Sequence, residues 1–170
     1  KLISTQELYK YKQITMELFD VSRRSIPSIY SLEKSGILEE DYWGKGCGFR
    51  SIREPEIAKS ILKNLPSTEF TRRLNTEGAD IRYITYNIKD SYTIDYHNDS
   101  CDATLIVYIY KDPEIIDRFY VDGKKVEGQW RRSSLSSYKA LLFNGYKEHG
   151  GVLVGSGVRK VLVIHFGLHT

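Results

Sequence analysis

Apolar and polar positions change their rhythm at about residue 80. Before that point the spacing is helical. From Ser4, an N-cap with Glu7 three positions on, residues Leu8, Tyr11, Ile14 and Leu18 recur at intervals of three and four. Glu54 to Leu65 repeats the pattern with Ile57, Ile61, Leu62 and Leu65, and Pro66 stops it. Ser67 with Phe70, Arg73 and Leu74 predicts a third, short helix. Gly36 to Arg53 carries no clear pattern. Its Gly44-Lys45-Gly46-Cys47-Gly48 run lacks the Lys-Ser/Thr ending and the preceding strand that a phosphate loop requires.

After residue 80 the rhythm is that of strands. Ile81–Asn87, Tyr92–His97, Ala103–Tyr110, Arg118–Val121, Lys139–Phe143, Val152–Val154 and Val158–Phe166 are short runs rich in Val, Ile, Tyr and Phe. Turn-forming residues separate them, among them Lys111-Asp112-Pro113, Asp122-Gly123, Asn144-Gly145 and Gly155-Ser156-Gly157. Strands at this spacing imply a β-sandwich or barrel with the N-terminal helices against one face. The expectation is one α+β, mainly β domain over residues 1–170, with 1–80 mainly helical support and 81–170 the β core.

Composition narrows the classes. The 170 residues carry 25 Lys+Arg against 22 Asp+Glu, with 41% hydrophobic residues, an ordinary globular profile. The doublets Arg23-Arg24, Arg72-Arg73, Lys124-Lys125 and Arg131-Arg132 are scattered along the chain, which argues against nucleic acid as a partner. Cys47 and Cys101 are too few for a disulfide framework or a four-cysteine zinc site, and no apolar run approaches a membrane span. Thirteen tyrosines supply material for pocket walls as well as core. The sequence begins on Lys1 rather than Met, which fits a processed or a trimmed product, with no signal-peptide pattern at that end.

The chemistry concentrates in a few residues. His97-Asn98-Asp99 ends a predicted strand, and the spacing of two sends both side chains off one face of extended backbone. His149 opens a later strand, and Arg159 follows ten residues on. The Gly155-Ser156-Gly157 turn is expected to let those last two strands pair as a hairpin. Two imidazoles and one carboxylate are the facial ligand set of non-haem Fe(II), and a nearby arginine offers a fork to a ligand carboxylate. Four histidines and ten aspartates would produce a His-x-Asp spacing by chance roughly 0.2 times. Taken singly, His97 reads as a hydrogen-bonded strand histidine, Asp99 as a turn cap and Arg159 as an ion-pair partner.

Together these residues resemble the 2-oxoglutarate- and Fe(II)-dependent dioxygenases, in particular their prolyl-4-hydroxylase-like branch. The resemblance runs from Ile81 to Phe166. It carries His97-Asn98-Asp99, then Thr104-Leu105-Ile106-Val107-Tyr108-Ile109 for the family's Thr-x-x-x-Tyr-Leu strand, Ala140-Leu141-Leu142-Phe143, His149, and Gly157-Val158-Arg159. It implies a double-stranded β-helix (jelly roll), with iron on His97, Asp99 and His149 and with Arg159 and Tyr108 on the far carboxylate of 2-oxoglutarate. Tyr86 stands where the family presents a pocket tyrosine or, equally, packs a core. The resemblance further implies O2 as co-substrate, ascorbate as a supporting reductant, and hydroxylation of a small-molecule or peptide substrate. Asp99 is an acid where related halogenases have Gly or Ala, which favours hydroxylation.

One segment departs from the family. Where this branch shows Gly-Gly-Glu/Asp-Thr, the chain has Glu114-Ile115-Ile116-Asp117-Arg118-Phe119-Tyr120, a departure that bears on the substrate more than on the cofactor. Trp130 and Arg131, with Arg132, are candidates for substrate contact or plain surface loop. His165 shares a strand face with Arg159, Val161 and Val163, as a pocket residue or a core histidine. Fe(II) and few cysteines fit a cytoplasmic, reducing compartment. Two alternatives stay open: a jelly-roll module that keeps a metal or carboxylate ligand without turnover, and the same chemistry on another small metabolite or a nucleic-acid base.

Overall fold

A computed structural model describes residues 16–35, 38–131 and 134–169. In chain order the elements are β1 (Glu17–Ser22), α1 (Ile29–Ser35), β2 (Leu38–Gly44), β3 (Cys47–Ile52), α2 (Pro55–Lys63), β4 (Leu74–Ile88), β5 (Ser91–His97), β6 (Ala103–Lys111), β7 (Ile116–Val121), β8 (Lys124–Lys125), β9 (Ser137–Phe143), β10 (His149–Val154) and β11 (Gly157–Leu168). They form two antiparallel sheets: a seven-stranded one ordered β1-β9-β6-β11-β4-β3-β2, and a four-stranded one ordered β5-β10-β7-β8. This is the double-stranded β-helix expected of the chain.

The central strands explain the layering. In β6 and β11 alternate residues leave opposite faces, and both faces are buried. Leu105, Val107, Leu162, Ile164 and Phe166 pack on one side with Ile57, Ala58 and Ile61 of α2. Ile106, Tyr108 and Val161 pack on the other with Phe119, Val121 and Leu153 of the smaller sheet. The large sheet is thus a middle layer, helix on one face and small sheet on the other. A strand covered on both sides must read as a continuous apolar run, as Thr104 to Ile109 does.

The helix expected over Glu54–Leu65 forms as α2. Glu54 caps it by accepting a hydrogen bond from the Glu56 amide, Pro55 occupies its first turn, and Lys63 lies in the last turn, where a cation is favoured. Its buried Ile57 and Ile61 are each worth about 2 kcal/mol of apolar burial. No helix among the described residues is long and apolar enough to cross a membrane.

Four expectations change. The helix begun at Ser4 lies outside the described residues as far as Tyr11 and Ile14, but Leu18 is in a strand, because β1 pairs with β9 from Glu17↔Leu142 to Ser22↔Ser137. The unpatterned stretch after Gly36 contains the β2–β3 hairpin, turning at Gly46 with φ +84°. Residues 17–52 therefore hold three strands, so this part is not mainly helical. The segment from Ser67 reduces to a single 3-10 turn, Thr71–Arg73, stitched by the Thr68 and Thr71 hydroxyls. Finally, β10 and β11 do not form a hairpin. Gly155 (φ +119°) and Gly157 (φ +141°) carry the chain from the small sheet to the large one, where β11 pairs with β4 and β6. Only glycine adopts such backbone readily.

Candidate metal and carboxylate site

His97 is the last residue of β5 and His149 the first of β10, and the two are cross-strand partners. Their rings lie 4.4 Å apart. Asp99 sits in the turn that leaves the small sheet for β6. That turn is set locally by Asn98, whose Oδ1 accepts from the Ser100 amide, and by the Asp99 amide donating to Gly145 O at 2.8 Å. The result places the Asp99 carboxylate between the imidazoles: Oδ1 is 3.3 Å from His97 Nε2, and Oδ2 is 3.0 Å from His149 Nε2.

The hydrogen bonds around these groups decide their chemistry. His97 Nδ1 lies 2.6 Å from Asp95 O and His149 Nδ1 lies 2.9 Å from Lys147 O. A carbonyl only accepts, so each ring keeps a proton on Nδ1 and turns Nε2 toward Asp99. Two nitrogen lone pairs then face an acid, and either a second imidazole proton or a cation must lie between them. Burial works to raise the Asp99 pKa, yet contacts from His149, His165 and the Thr104 hydroxyl outweigh it and hold the carboxyl far below its ordinary range. Thr104 Oγ1 donates to Oδ2 at 2.7 Å. His149 is 4% exposed, packed edge-on by Phe143, whereas His97 is 48% exposed. His149 reaches its place because Gly150 and Gly151 follow it: a Cβ on Gly151 would stand 1.9 Å from Arg118 O of β7.

These three residues bring ligand atoms within 4.8 Å of one another, the donor set of a facial metal site. Asp99, Cys101 and His165 form a second such group. Its thiol donates to Ala103 O, and burial pushes its pKa up, so the sulfur stays protonated and is the poorer ligand.

The opposite end of the site belongs to the large sheet. Arg159 of β11 pairs in register with Tyr86 of β4. It is 2% exposed, and its Nε donates to Asp117 Oδ2 at 2.8 Å. Its guanidinium lies 4.9 Å from the Tyr86 ring centre, 5.8 Å from Trp130 and 5.9 Å from Tyr108. Burial opposes its charge, but Asp117 beside it more than compensates and keeps its pKa above the ordinary value. Burial also pushes the Tyr86 phenol up to about 12, partly offset by Arg159, and raises Tyr108 further. Both phenols are therefore neutral donors. The Tyr108 hydroxyl is buried with no hydrogen-bond partner among the described residues.

A cavity of about 520 Å³ joins the two ends: His97, Asp99 and His149 line one part, Arg159 and Tyr86 the other. Ile84, Ile94, Ile106, Phe119, Val161 and Val163 give it apolar walls. Three sequence candidates fall in different places. His165 lines this cavity, with Nε2 3.5 Å from Asp99 Oδ2 and Nδ1 3.5 Å from Asp80 Oδ2. Trp130 stands behind Arg159, donating from Nε1 to Asp117 Oδ2 at 2.8 Å, and does not line the cavity. Arg131 is exposed and away from it, and Arg132 lies outside the described residues. Sequence reasoning missed Asp117 as a site residue and gave Thr104 no role. Thr104 stood inside a recognised strand motif, but Asp117 had no spacing signal at all.

No family model and no curated protein matches the sequence. Solved structures do match by shape. A prolyl hydroxylase from Trichoplax adhaerens, in complex with a hypoxia inducible factor oxygen degradation domain peptide fragment, superposes with a TM-score of 0.54 at 12% identity, over 97% of this chain and 94% of that one. A Pseudomonas putida prolyl-4-hydroxylase gives 0.49 at 11% identity, over 91% and 94%. The first likeness shows the fold: the chain shares the double-stranded β-helix of that prolyl hydroxylase.

Proposed function

We propose that the chain is an Fe(II)- and 2-oxoglutarate-dependent dioxygenase that hydroxylates a C–H bond of an amino-acid side chain, free or within a peptide, such as a prolyl residue. One observation carries this reading. Two imidazoles with their Nδ1 protons already committed turn Nε2 onto an ionised carboxylate, in a cavity whose far end is a buried guanidinium. The donor set suits Fe(II), and the unpartnered Tyr108 hydroxyl beside Arg159 suits a carboxylate. The chemistry supplied by bound Fe(II) and 2-oxoglutarate is the O2-dependent coupling of decarboxylation, to succinate and CO2, with substrate hydroxylation.

The chain's own residues do the rest. His97, Asp99 and His149 hold the metal, and Thr104 keeps the Asp99 carboxylate turned toward it. Arg159 would anchor the distal carboxylate, with Tyr86 beneath the guanidinium; Tyr108, buried and not itself lining the cavity, lies 5.9 Å from that guanidinium. The apolar walls would exclude water from the site. The half-exposed His97 marks the side open to substrate, next to His165 and Asp80. A peptide substrate is in keeping with the peptide held by the Trichoplax adhaerens protein. Free Cys47 and Cys101 and a ferrous site suit a reducing, cytoplasmic setting.

Purified protein supplied with Fe(II), 2-oxoglutarate and O2 should release succinate, and His97→Ala and Asp99→Ala should abolish that release. Unchanged succinate formation in either variant would overturn the assignment. Metal and 2-oxoglutarate binding without any turnover would favour the non-catalytic module instead.

A further inference from the structure

Arg159 is already answered by an anion before any ligand arrives. Asp117 Oδ2 accepts from Arg159 Nε and from Trp130 Nε1, each at 2.8 Å, and the Asp117 and Arg159 side chains are each 2% exposed. The fold holds the acid there: Asp117 lies on β7 in register with Leu153 of β10, 42 residues from its partner in sequence. A guanidinium offers two bidentate edges, one through Nε and one through the two Nη atoms. With Nε engaged, the Nη edge is the one left for a ligand. A carboxylate arriving there meets a cation with a counter-charge on its far side. Asp117 Oδ1, meanwhile, is buried without a partner among the described residues, so its charge is only partly quenched.

We propose that Asp117 is a positioning residue and built-in counter-anion: it presents the Nη edge of Arg159 and moderates the site's grip on the distal carboxylate of co-substrate and product. This rests on the reading of Arg159 as the anchor for 2-oxoglutarate. Succinate retains that same distal carboxylate, so the moderation that slows capture eases release. In the ligand-free protein the acid also compensates a cation that has almost no access to water. Two carboxylates on opposite edges of one guanidinium repel one another across it, which corresponds to about tenfold or more in affinity.

The test uses the full chain loaded with Mn(II) and calorimetric titration with 2-oxoglutarate, succinate and pyruvate. Pyruvate keeps the keto-acid end but has no distal carboxylate. Asp117→Asn, which retains an acceptor for Nε but removes the charge, should bind 2-oxoglutarate and succinate about tenfold tighter, with pyruvate unchanged. Its Tm should fall without ligand and recover with saturating 2-oxoglutarate. In turnover, KM for 2-oxoglutarate and kcat should fall together as succinate release slows. Unchanged or weaker 2-oxoglutarate binding, or a pyruvate shift of the same size, would overturn the proposal. If Asp117→Asn does not fold, Trp130→Phe takes its place. Losing the indole N–H leaves more of the acid's charge on Arg159, so 2-oxoglutarate should bind more weakly and pyruvate equally, and an unchanged or tighter value overturns the proposal. Wild-type protein that binds pyruvate but gains nothing from the distal carboxylate would instead sink the reading of Arg159.

Discussion

His97 and His149 face each other across the β5–β10 ladder, yet one is half open to solvent and the other is 4% exposed. The two are unequal as structure. His149→Ala should lose metal and also destabilise the fold by about 2–3 kcal/mol, because it empties a site packed against Phe143 and Phe119. His97→Ala should lose metal to a similar degree with Tm nearly unchanged. Mn(II) binding followed by electron paramagnetic resonance, beside thermal unfolding of the metal-free proteins, separates the two effects.

Thr104 touches no metal but holds Asp99 Oδ2 at 2.7 Å. Thr104→Val preserves the shape and removes the donor. Metal affinity should fall by roughly 10–100-fold, the usual cost of losing a group that orients a ligand. Thr104→Ser should restore it, and direct titration with Mn(II) reads both.

Gly151 lets β10 pass close to β7. An added methyl would collide with the Arg118 carbonyl, which belongs to backbone and cannot rotate away. Gly151→Ala should cost at least about 2 kcal/mol in urea unfolding and displace His149, lowering metal affinity as well. An alanine variant with native stability would mean that β10 can shift without loss.

The buried phenols give the protein an alkaline limit. The Tyr86 phenol ionises at 10.0 in its ordinary setting and near 12 in the fold. A raised folded pKa means that the stabilisation is complete below pH 10 and is lost as pH climbs toward about 12. Tyr108 is raised in the same direction. Tyr86→Phe should therefore flatten part of the stability loss in that window, by up to about 1.4 kcal/mol per pH unit. Urea midpoints measured across the range check the sign.

Legibility followed how local each signal was. Strands β5, β6, β7, β9, β10 and β11 and the second half of β4 could be read because runs rich in Val, Ile, Tyr and Phe bounded by turn residues carry their own pattern, and the His-x-Asp pair and later His fell at strand ends; β8, two exposed lysines, and the start of β4 at Leu74 could not. β1 could not: Leu18 continues a helical spacing, and only pairing with β9 makes it extended. The β10–β11 turn misled for the opposite reason. Its glycines look like a hairpin locally, while sheet membership is decided by β4 and β6. Asp117 was invisible because its meaning depends on closure against a residue 42 positions away. Trp130 read as a substrate contact or a surface-loop aromatic, whereas its indole N–H is committed to that same acid.

The division of labour between the sheets has one more consequence. His97 and His149 belong to the small sheet, Arg159 and Tyr86 to the large one, and Asp99 to the chain that crosses between them. Anything spanning this cavity adds a second polar tie between two layers already joined by apolar contact and by the Asp117–Arg159 ion pair. Its binding energy is added only to the closed sandwich, growing with the logarithm of ligand concentration. Amides of β5 and β10 should then open less often as metal and keto acid accumulate. The molecule's resistance to unravelling becomes a gauge of how much of these ligands surrounds it.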